Sequence, residues 1–333
     1  MTSWLADLRE GLHRCLAEDE RVYFFGEDVL DPYGGAFKVS AGLSTAFPGR
    51  VFTTPISEAG IVGLATGMAL RGLRPVVEIM FGDFLMLAGD QIVNHAAKFH
   101  AMYAGQVSVP IVVRTPMGGG RGYGATHSQS IEKLFLGVPH LRIVAPSIAH
   151  SPGDLLVRAT LADSGPVLFI EHKLLYPAEP LQPGGALRVE MVDGPGGFPS
   201  ALVANFSDGV PDVTVCAYGG VTRWMTSLLE RLRDEEIRVL AVMPSSLKPL
   251  PVDTLAEAAS RSGRVVIVEE GTSGFNWGSE VAAQLYERLW RGLRAPIRRV
   301  ASHDDIVPSA TDRETTMLVS PERVEAAILE VLA

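Results

Sequence analysis

Apolar and polar positions along this 333-residue chain follow two alternating periods. Leu5, Leu8, Leu12, Cys15 and Leu16 recur at three- and four-residue spacing, which predicts an amphipathic helix over Trp4–Glu18. Short runs rich in β-branched and aromatic residues follow, at Val22–Phe25, Val51–Thr54, Val76–Met80, Ile111–Thr115, around Ile143, and at Val167–Ile170. Helical spacing occupies the intervals, from Glu58 onward and over Leu85–Tyr103. Strands alternating with helices predict a mainly parallel sheet with right-handed crossovers. Between Pro177 and Pro211 the periodicity fades into Gly and Pro, the pattern of a linker that wraps rather than packs. Alternation then resumes. Strands are expected at Val213–Ala217, Arg238–Val242, Val265–Glu269 and Ile297–Ala301, with helices over Thr222–Arg233, after Pro251, near Gly278–Leu289 and from Pro321. The expected fold is α/β, with two doubly wound, mainly parallel-sheet domains over residues 1–176 and 212–333 joined by a linker at 177–211.

One stretch stands out, TTPISEAGIVGLATGMAL at Thr53–Leu70. Pro55 ends a strand and Glu58 opens a helix, so its carboxylate falls in the first turn, where free amides and the helix dipole favour negative charge even when water is scarce. Gly60, Gly63 and Gly67 leave one side of that helix without side chains at a cost of about 1 kcal/mol each, which close approach of another backbone would offset.

Composition narrows the function. With 47% hydrophobic and 20% charged residues the chain has ample core, and its net charge of -9 argues against nucleic acid or an anionic membrane as the main partner. Cys15 and Cys216 stand far apart with no metal-ligand spacing around them, which favours a reducing compartment. The N-terminal stretch lacks a signal-peptide core, no apolar run approaches 18 residues, and a cytoplasmic location is expected.

Five motifs each follow a predicted strand: GED at 26–28, YGGAFKV at 33–39, TPISEAG at 54–60, EIMFGDF at 78–84 with DQIVNHAAK at 90–98, and GGGRGYGATHSQS at 118–130. Ligands of open α/β sheets bind at the carboxyl ends of the strands, so these motifs should gather along one edge. Their buried acids, aromatic residue, glycine loop and histidine suit a flat heteroaromatic cofactor better than a hydrolytic triad, for which no serine sits in a nucleophile elbow. Taken singly, each residue has a plainer role: a capping glutamate, a core phenylalanine, a loop histidine. The set together carries the argument.

In this order, and with VVIVEEGTSGFNWGSEV further on, the motifs resemble the β subunits of the thiamine diphosphate-dependent decarboxylating component of 2-oxoacid dehydrogenase complexes, the pyruvate, branched-chain oxoacid and acetoin dehydrogenase family. The resemblance implies a pyrimidine-binding domain followed by a transketolase C-terminal-like domain. Glu58 would hydrogen-bond the aminopyrimidine ring nitrogen and so promote proton removal from the thiazolium carbon, and Glu27 would share a proton network with it. Phe84 would stack on the pyrimidine and Ile56 would line its approach. His127 would face the substrate, and Tyr33 lies near that region in the family. The family's GDG motif with its following NN pair, which holds the diphosphate and magnesium, is absent from the sequence. No metal ligand is therefore expected on this chain, and an α subunit should supply that half in an α2β2 heterotetramer. The implied reaction is decarboxylation of a small 2-oxoacid with acyl transfer to a lipoyl acceptor, with a lipoyl acyltransferase as a possible further partner. A carboligase or simple decarboxylase without a lipoyl partner is the enzymatic alternative, and a noncatalytic scaffold subunit is the alternative of another class.

Overall fold

The computed structural model describes residues 3–181 and 187–333, so residues 182–186 of the expected linker lie outside it. The chain forms two compact units, one of Met1–Met117, Leu134–Val144 and Ser151–Glu179, the other of Gly118–Lys133, Ala145–His150 and Pro180–Ala333.

In the first unit, α1 (Trp4–Glu18) starts where the Ser3 side chain accepts the Ala6 N–H, and it buries Trp4, Leu8, Leu12 and Leu16. The strands β1 (Val22–Gly26), β2 (Val51–Thr53), β3 (Arg74–Glu78), β4 (Val112–Met117), β5 (Arg142–Val144) and β6 (Val167–His172) pair in parallel in the order β5-β6-β4-β3-β1-β2. β1 has β2 on one side and β3 on the other, so the chain switches direction across the sheet there, and a crevice opens at the carboxyl ends. Three helices accompany the strands: α2 (Leu43–Ala46), α3 (Glu58–Leu70) and α5 (Pro152–Leu161). The helix expected over Leu85–Tyr103 is instead broken into a 3-10 segment at Gly82–Ala88, a π-helical turn at Gln91–Ala96 and the short α4 (Phe99–Met102). The first break falls at Gly89 and Asp90, both poor helix formers, and the Asp90 carboxylate turns to bond the Asn94 side chain at 2.6 Å.

In the second unit, the sheet order is β13-β12-β9-β10-β8-β7. Its strands are β7 (Arg188–Val192), β8 (Ser200–Ala204), β9 (Val213–Ala217), β10 (Val239–Pro244), β12 (Val265–Thr272) and β13 (Arg298–Ser302), and the short strand β11 (Ser246–Lys248) follows β10 in the chain without joining this sheet. The helices are α6 (Met225–Asp234), α7 (Val252–Ser262), α8 (Trp277–Leu289), α9 (Thr311–Met317) and α10 (Pro321–Leu332). β9, β10, β12 and β13 run parallel, while β8 is antiparallel to β10 and β7 to β8. The last two strands lie in the stretch expected to wrap without packing. Its Gly and Pro supply a tight turn at Pro195–Gly197 between two short strands, and β8 buries Ser200, Ala201 and Val203. Among the described residues no helix is long and apolar enough to cross a membrane.

Two buried polar arrangements hold these sheets. In the first unit the Arg114 guanidinium on β4, 1% exposed, bonds Glu78 at the end of β3 and both oxygens of Glu171 on β6, with Nε to Oε1 at 2.6 Å. The Tyr176 hydroxyl donates to Glu171 at 2.6 Å. Burial pushes the Glu78 carboxyl up, Arg114 opposes that shift, and Glu171 adds to it. In the second unit Glu269 on β12 accepts the Gly278 N–H in the first turn of α8 at 2.8 Å. Burial raises the Glu269 carboxyl from about 4.5 to about 8, against the pull of that bond.

Both arrangements make testable statements. Arg114→Met leaves two carboxylates facing each other in the core and should cost about 3–5 kcal/mol in chemical denaturation, much of it recovered when Glu78→Gln and Glu171→Gln are added. A loss below about 1 kcal/mol would show that the cluster holds little together. Folding raises the Glu269 pKa, so the stability this group contributes is complete below about pH 4.5 and is lost as pH rises through about 8. Glu269→Gln keeps the carbonyl that accepts Gly278, and its unfolding midpoint should fall less than that of the wild type between about pH 5 and 8. Parallel curves would mean that Glu269 does not titrate in that window.

Candidate active site

The carboxyl ends of β1 and β2 are tied together by short-range bonds. Thr54 N–H donates to the Gly26 carbonyl at 3.0 Å, and Asp28 N–H donates to the Thr53 hydroxyl at 3.1 Å. The register pairs Gly26 with Thr53 on one side and with Glu78 on the other. Glu27 is thus the first residue past β1 at the switch point of the sheet, flanked by the loop that leads into α3.

That loop places the second acid. The Ser57 side chain accepts the Gly60 N–H and caps α3, so Glu58 begins the helix and lies 5% exposed. Glu27 is 7% exposed, and its Oε1 has no hydrogen-bond partner among the described residues. Burial pushes the Glu27 carboxyl above its ordinary value, and the charges of Glu58, Asp28 and Glu78 push it further, while a backbone bond from Ser57 pulls it back. Two acids are therefore held in a poorly solvated place, and Glu27 keeps an oxygen without a partner among the described residues. Its raised proton affinity suits Glu27 to hold a proton and pass it on.

Apolar residues of the same unit follow the strand ends nearby in sequence. Ile56 is 83% exposed just before the helix start. Phe84 stands edge-on to Phe81 at 6.1 Å between ring centroids, and Phe81 meets Phe37 at 5.6 Å. Phe37 comes from the YGGAFKV loop, whose Gly35 has φ of 79° and lies so close to Glu78 that a Cβ there would be 3.2 Å from its Oε1. Only glycine combines that backbone conformation with that approach. Tyr33 is half exposed, with Lys38 Nζ 3.7 Å from its ring centroid. Sequence reasoning passed over Lys173, which is wholly buried just past β6 with its Nζ 5.3 Å from the Phe81 ring centroid. It also passed over Arg114. The signal for both was a lone cation next to apolar strand residues, which is costly unless partnered.

Glu27, Ile56, Glu58 and Phe84 belong to the first unit, whereas His127 belongs to the second. His127 is half-buried, with Nδ1 3.0 Å from the Thr126 hydroxyl and its N–H donated to the Gly124 carbonyl at 3.3 Å. The glycine loop that carries it is built into the second unit through Glu270 and Glu314, which accept the Gly119, Gly120 and Gly122 amides. These buried acceptors give the glycine-rich segment a defined shape.

Comparison with known proteins identifies the family of both units. Residues 1–179 match the transketolase pyrimidine binding domain and residues 204–324 the transketolase C-terminal domain. The chain is 37% identical over 331 residues to the 2-oxoisovalerate dehydrogenase subunit beta of Bacillus subtilis, across 99% of this chain and 98% of that one. It is 35% identical over 325 residues to the pyruvate dehydrogenase E1 component subunit beta of Rickettsia bellii, across 97% and 96%. It is 32% identical over 329 residues to the acetoin:2,6-dichlorophenolindophenol oxidoreductase subunit beta of Cupriavidus necator, across 96% and 94%. A solved split-gene transketolase, described as an inactive tetramer, shares the fold at a TM-score of 0.77 with 22% identity, across 100% of this chain and 99% of that one. On the strength of these matches over both units, the chain belongs to the β-subunit family of the 2-oxoacid dehydrogenases, built from a transketolase-type pyrimidine-binding domain and a transketolase-type C-terminal domain.

Proposed function

We propose that the chain is the cofactor-activating half of a thiamine diphosphate-dependent 2-oxoacid dehydrogenase, which decarboxylates a small 2-oxoacid and passes the acyl group to a lipoyl acceptor. The observation that carries this reading is the pair of buried carboxylates at the sheet's switch point, Glu58 in the first turn of α3 and Glu27 with an unused oxygen. The donor set fits an aminopyrimidine, a flat ring with nitrogens that accept and donate. When bound, thiamine diphosphate supplies the nucleophilic carbon and the electron sink that decarboxylation of a 2-oxoacid requires.

The chain's own residues have separable tasks. Glu58 holds a proton at the ring nitrogen and exchanges it, helped by a site in which a carboxyl bond is not diluted by water. Glu27 keeps a proton available to that bond, since burial, and after it the charges of its acidic neighbours, raise its proton affinity. Phe84 offers a face or edge for the ring, and Ile56 an apolar wall at its approach. His127 serves the substrate side, as a donor to an oxoacid carboxylate or to the acyl acceptor. Diphosphate and magnesium fall to an α partner, because the sequence carries no GDG and NN pair. The heterotetramer, the lipoyl acceptor and a cytoplasmic setting belong to the same proposal.

In the assembled α/β enzyme, Glu58→Gln should lower 2-oxoacid consumption roughly 10²- to 10⁴-fold while folding and assembly persist, because the amide keeps the volume but cannot exchange the proton. Turnover within a few-fold of wild type would reduce Glu58 to a helix cap. His127→Ala should spare turnover with an artificial oxidant better than transfer to a lipoyl domain. A wild-type complex that releases free aldehyde or an acyloin and ignores lipoyl domains would replace the dehydrogenase reading with the decarboxylase or carboligase one.

A further inference from the structure

The 118–130 loop of the second unit combines two features that rarely coexist. Gly118, Gly120, Gly122 and Gly124 all have positive φ, at 92°, 84°, 68° and 77°, so the free chain there has many conformations to lose. Yet four of its glycine amides have defined acceptors. Gly119 N–H donates to Glu270 Oε1 at 2.8 Å, Gly120 N–H to Glu314 Oε1 at 2.9 Å, and Gly122 N–H to Glu314 Oε2 at 2.8 Å. Gly118 N–H closes the base of the loop on the Gln129 carbonyl at 3.2 Å, and the Ser130 hydroxyl donates to the same Glu270 oxygen at 3.3 Å.

Glu314 is 0% exposed and lies on α9, the short helix in the 303–320 segment. Its two oxygens each serve one amide of the turn, an arrangement that only a carboxylate completes, since an amide side chain has one acceptor oxygen. The fit is tight on the apolar side too. A Cβ on Gly119 would lie 2.7 Å from Leu318 Cδ1, and Gly122 and Gly124 run against Ser309, with the Ser309 carbonyl 3.2 Å from a Cβ on Gly122. Val307, Met317 and Leu318 form a small apolar cluster beneath. Arg223 lies 3.7 Å from Glu270 and offsets its charge.

We propose that Glu314, backed by Glu270, is a positioning residue that clasps the glycine loop into its working shape before any ligand arrives and thereby sets where His127 stands. The inference rests on the reading of His127 as a substrate-side residue, but the clasp itself stands on the bonds above. A loop so held avoids the loss of apparent affinity that a ligand suffers when it must select a rarely populated conformation. The expected consequence is a loop equally ordered with and without cofactor, in contrast to glycine loops that close only on their ligand.

Hydrogen exchange on the assembled α/β complex, with and without thiamine diphosphate, tests this directly. In the wild type the Gly119, Gly120 and Gly122 amides should be protected in both states. Glu314→Ala should speed exchange at Gly120 and Gly122 roughly 10- to 100-fold, the equivalent of losing a bond to a charged acceptor, and Glu314→Gln should free one of the two amides and give an intermediate result. Both variants should depress lipoyl transfer more than artificial-oxidant turnover, and Glu314→Ala combined with His127→Ala should be no worse than the poorer single variant. Unchanged protection in Glu314→Ala would overturn the clasp, as would protection in the wild type that appears only with cofactor. Loss of protection with full lipoyl transfer, while His127→Ala alone impairs it, would overturn the positioning role. If His127→Ala is itself silent, the reading of His127 falls instead and exchange alone decides the clasp.

Discussion

The guanidinium of Arg114 makes the carboxyl edge of the first sheet possible. Parallel strands deliver their chemistry to one edge, and here that edge gathers Glu27, Glu58, Glu78 and Glu171, four acids with at most 7% exposure. Acids so placed repel one another and lose their water, so without a buried cation they would hold protons or pull the strands apart. Arg114 satisfies Glu78 and Glu171 through a rigid fork that lysine could not reproduce. With those two neutralised in place, Glu78 forms the floor on which Gly35 and the YGGAFKV loop rest. Among the described residues Glu27 and Glu58 form no ion pair, and in the proposed function that residual imbalance is what the cofactor ring would meet.

The second unit uses the same residue type for the opposite purpose. Glu270 and Glu314 also bury their carboxylates, yet they spend them on backbone amides and so convert glycine-rich chain into a defined loop. Backbone N–H groups are acceptable partners for a buried anion because they need an acceptor in any case. The first unit leaves Glu27 Oε1 without a partner among its described residues, whereas the second uses its acid oxygens to finish its own fold.

Much of this was legible in the sequence, and the reasons are physical. The α3 start was readable because Pro55 ends a strand and Glu58 suits a helix N-terminus, while the Ser57 cap emerged only with the structure. The parallel sheets were readable because apolar runs of strand length alternate with helical spacing. The break in the 85–103 region was not, since apolar spacing survives a π-helical turn while hydrogen bonding does not. The hairpin of β7 and β8 was hidden because a linker and a tight turn share the same Gly and Pro composition. The partners of Arg114, Lys173 and Glu314 were not legible for a different reason: they lie 36 residues or more away for Arg114 and 192 or more for Glu314, and pairings at that separation exist only after folding. Lys173, just past β6, likewise meets Phe81, which lies past the end of β3.

In the proposed function this chain holds the pyrimidine-activating carboxylates of a divided site and leaves the diphosphate to a partner, a division that isothermal calorimetry with thiamine diphosphate and magnesium can read. The purified chain alone should give weak heat that does not depend on magnesium, and addition of the α partner should produce saturable, magnesium-dependent binding at one site per pair of chains. Tight, magnesium-dependent binding by the chain on its own would contradict the divided site.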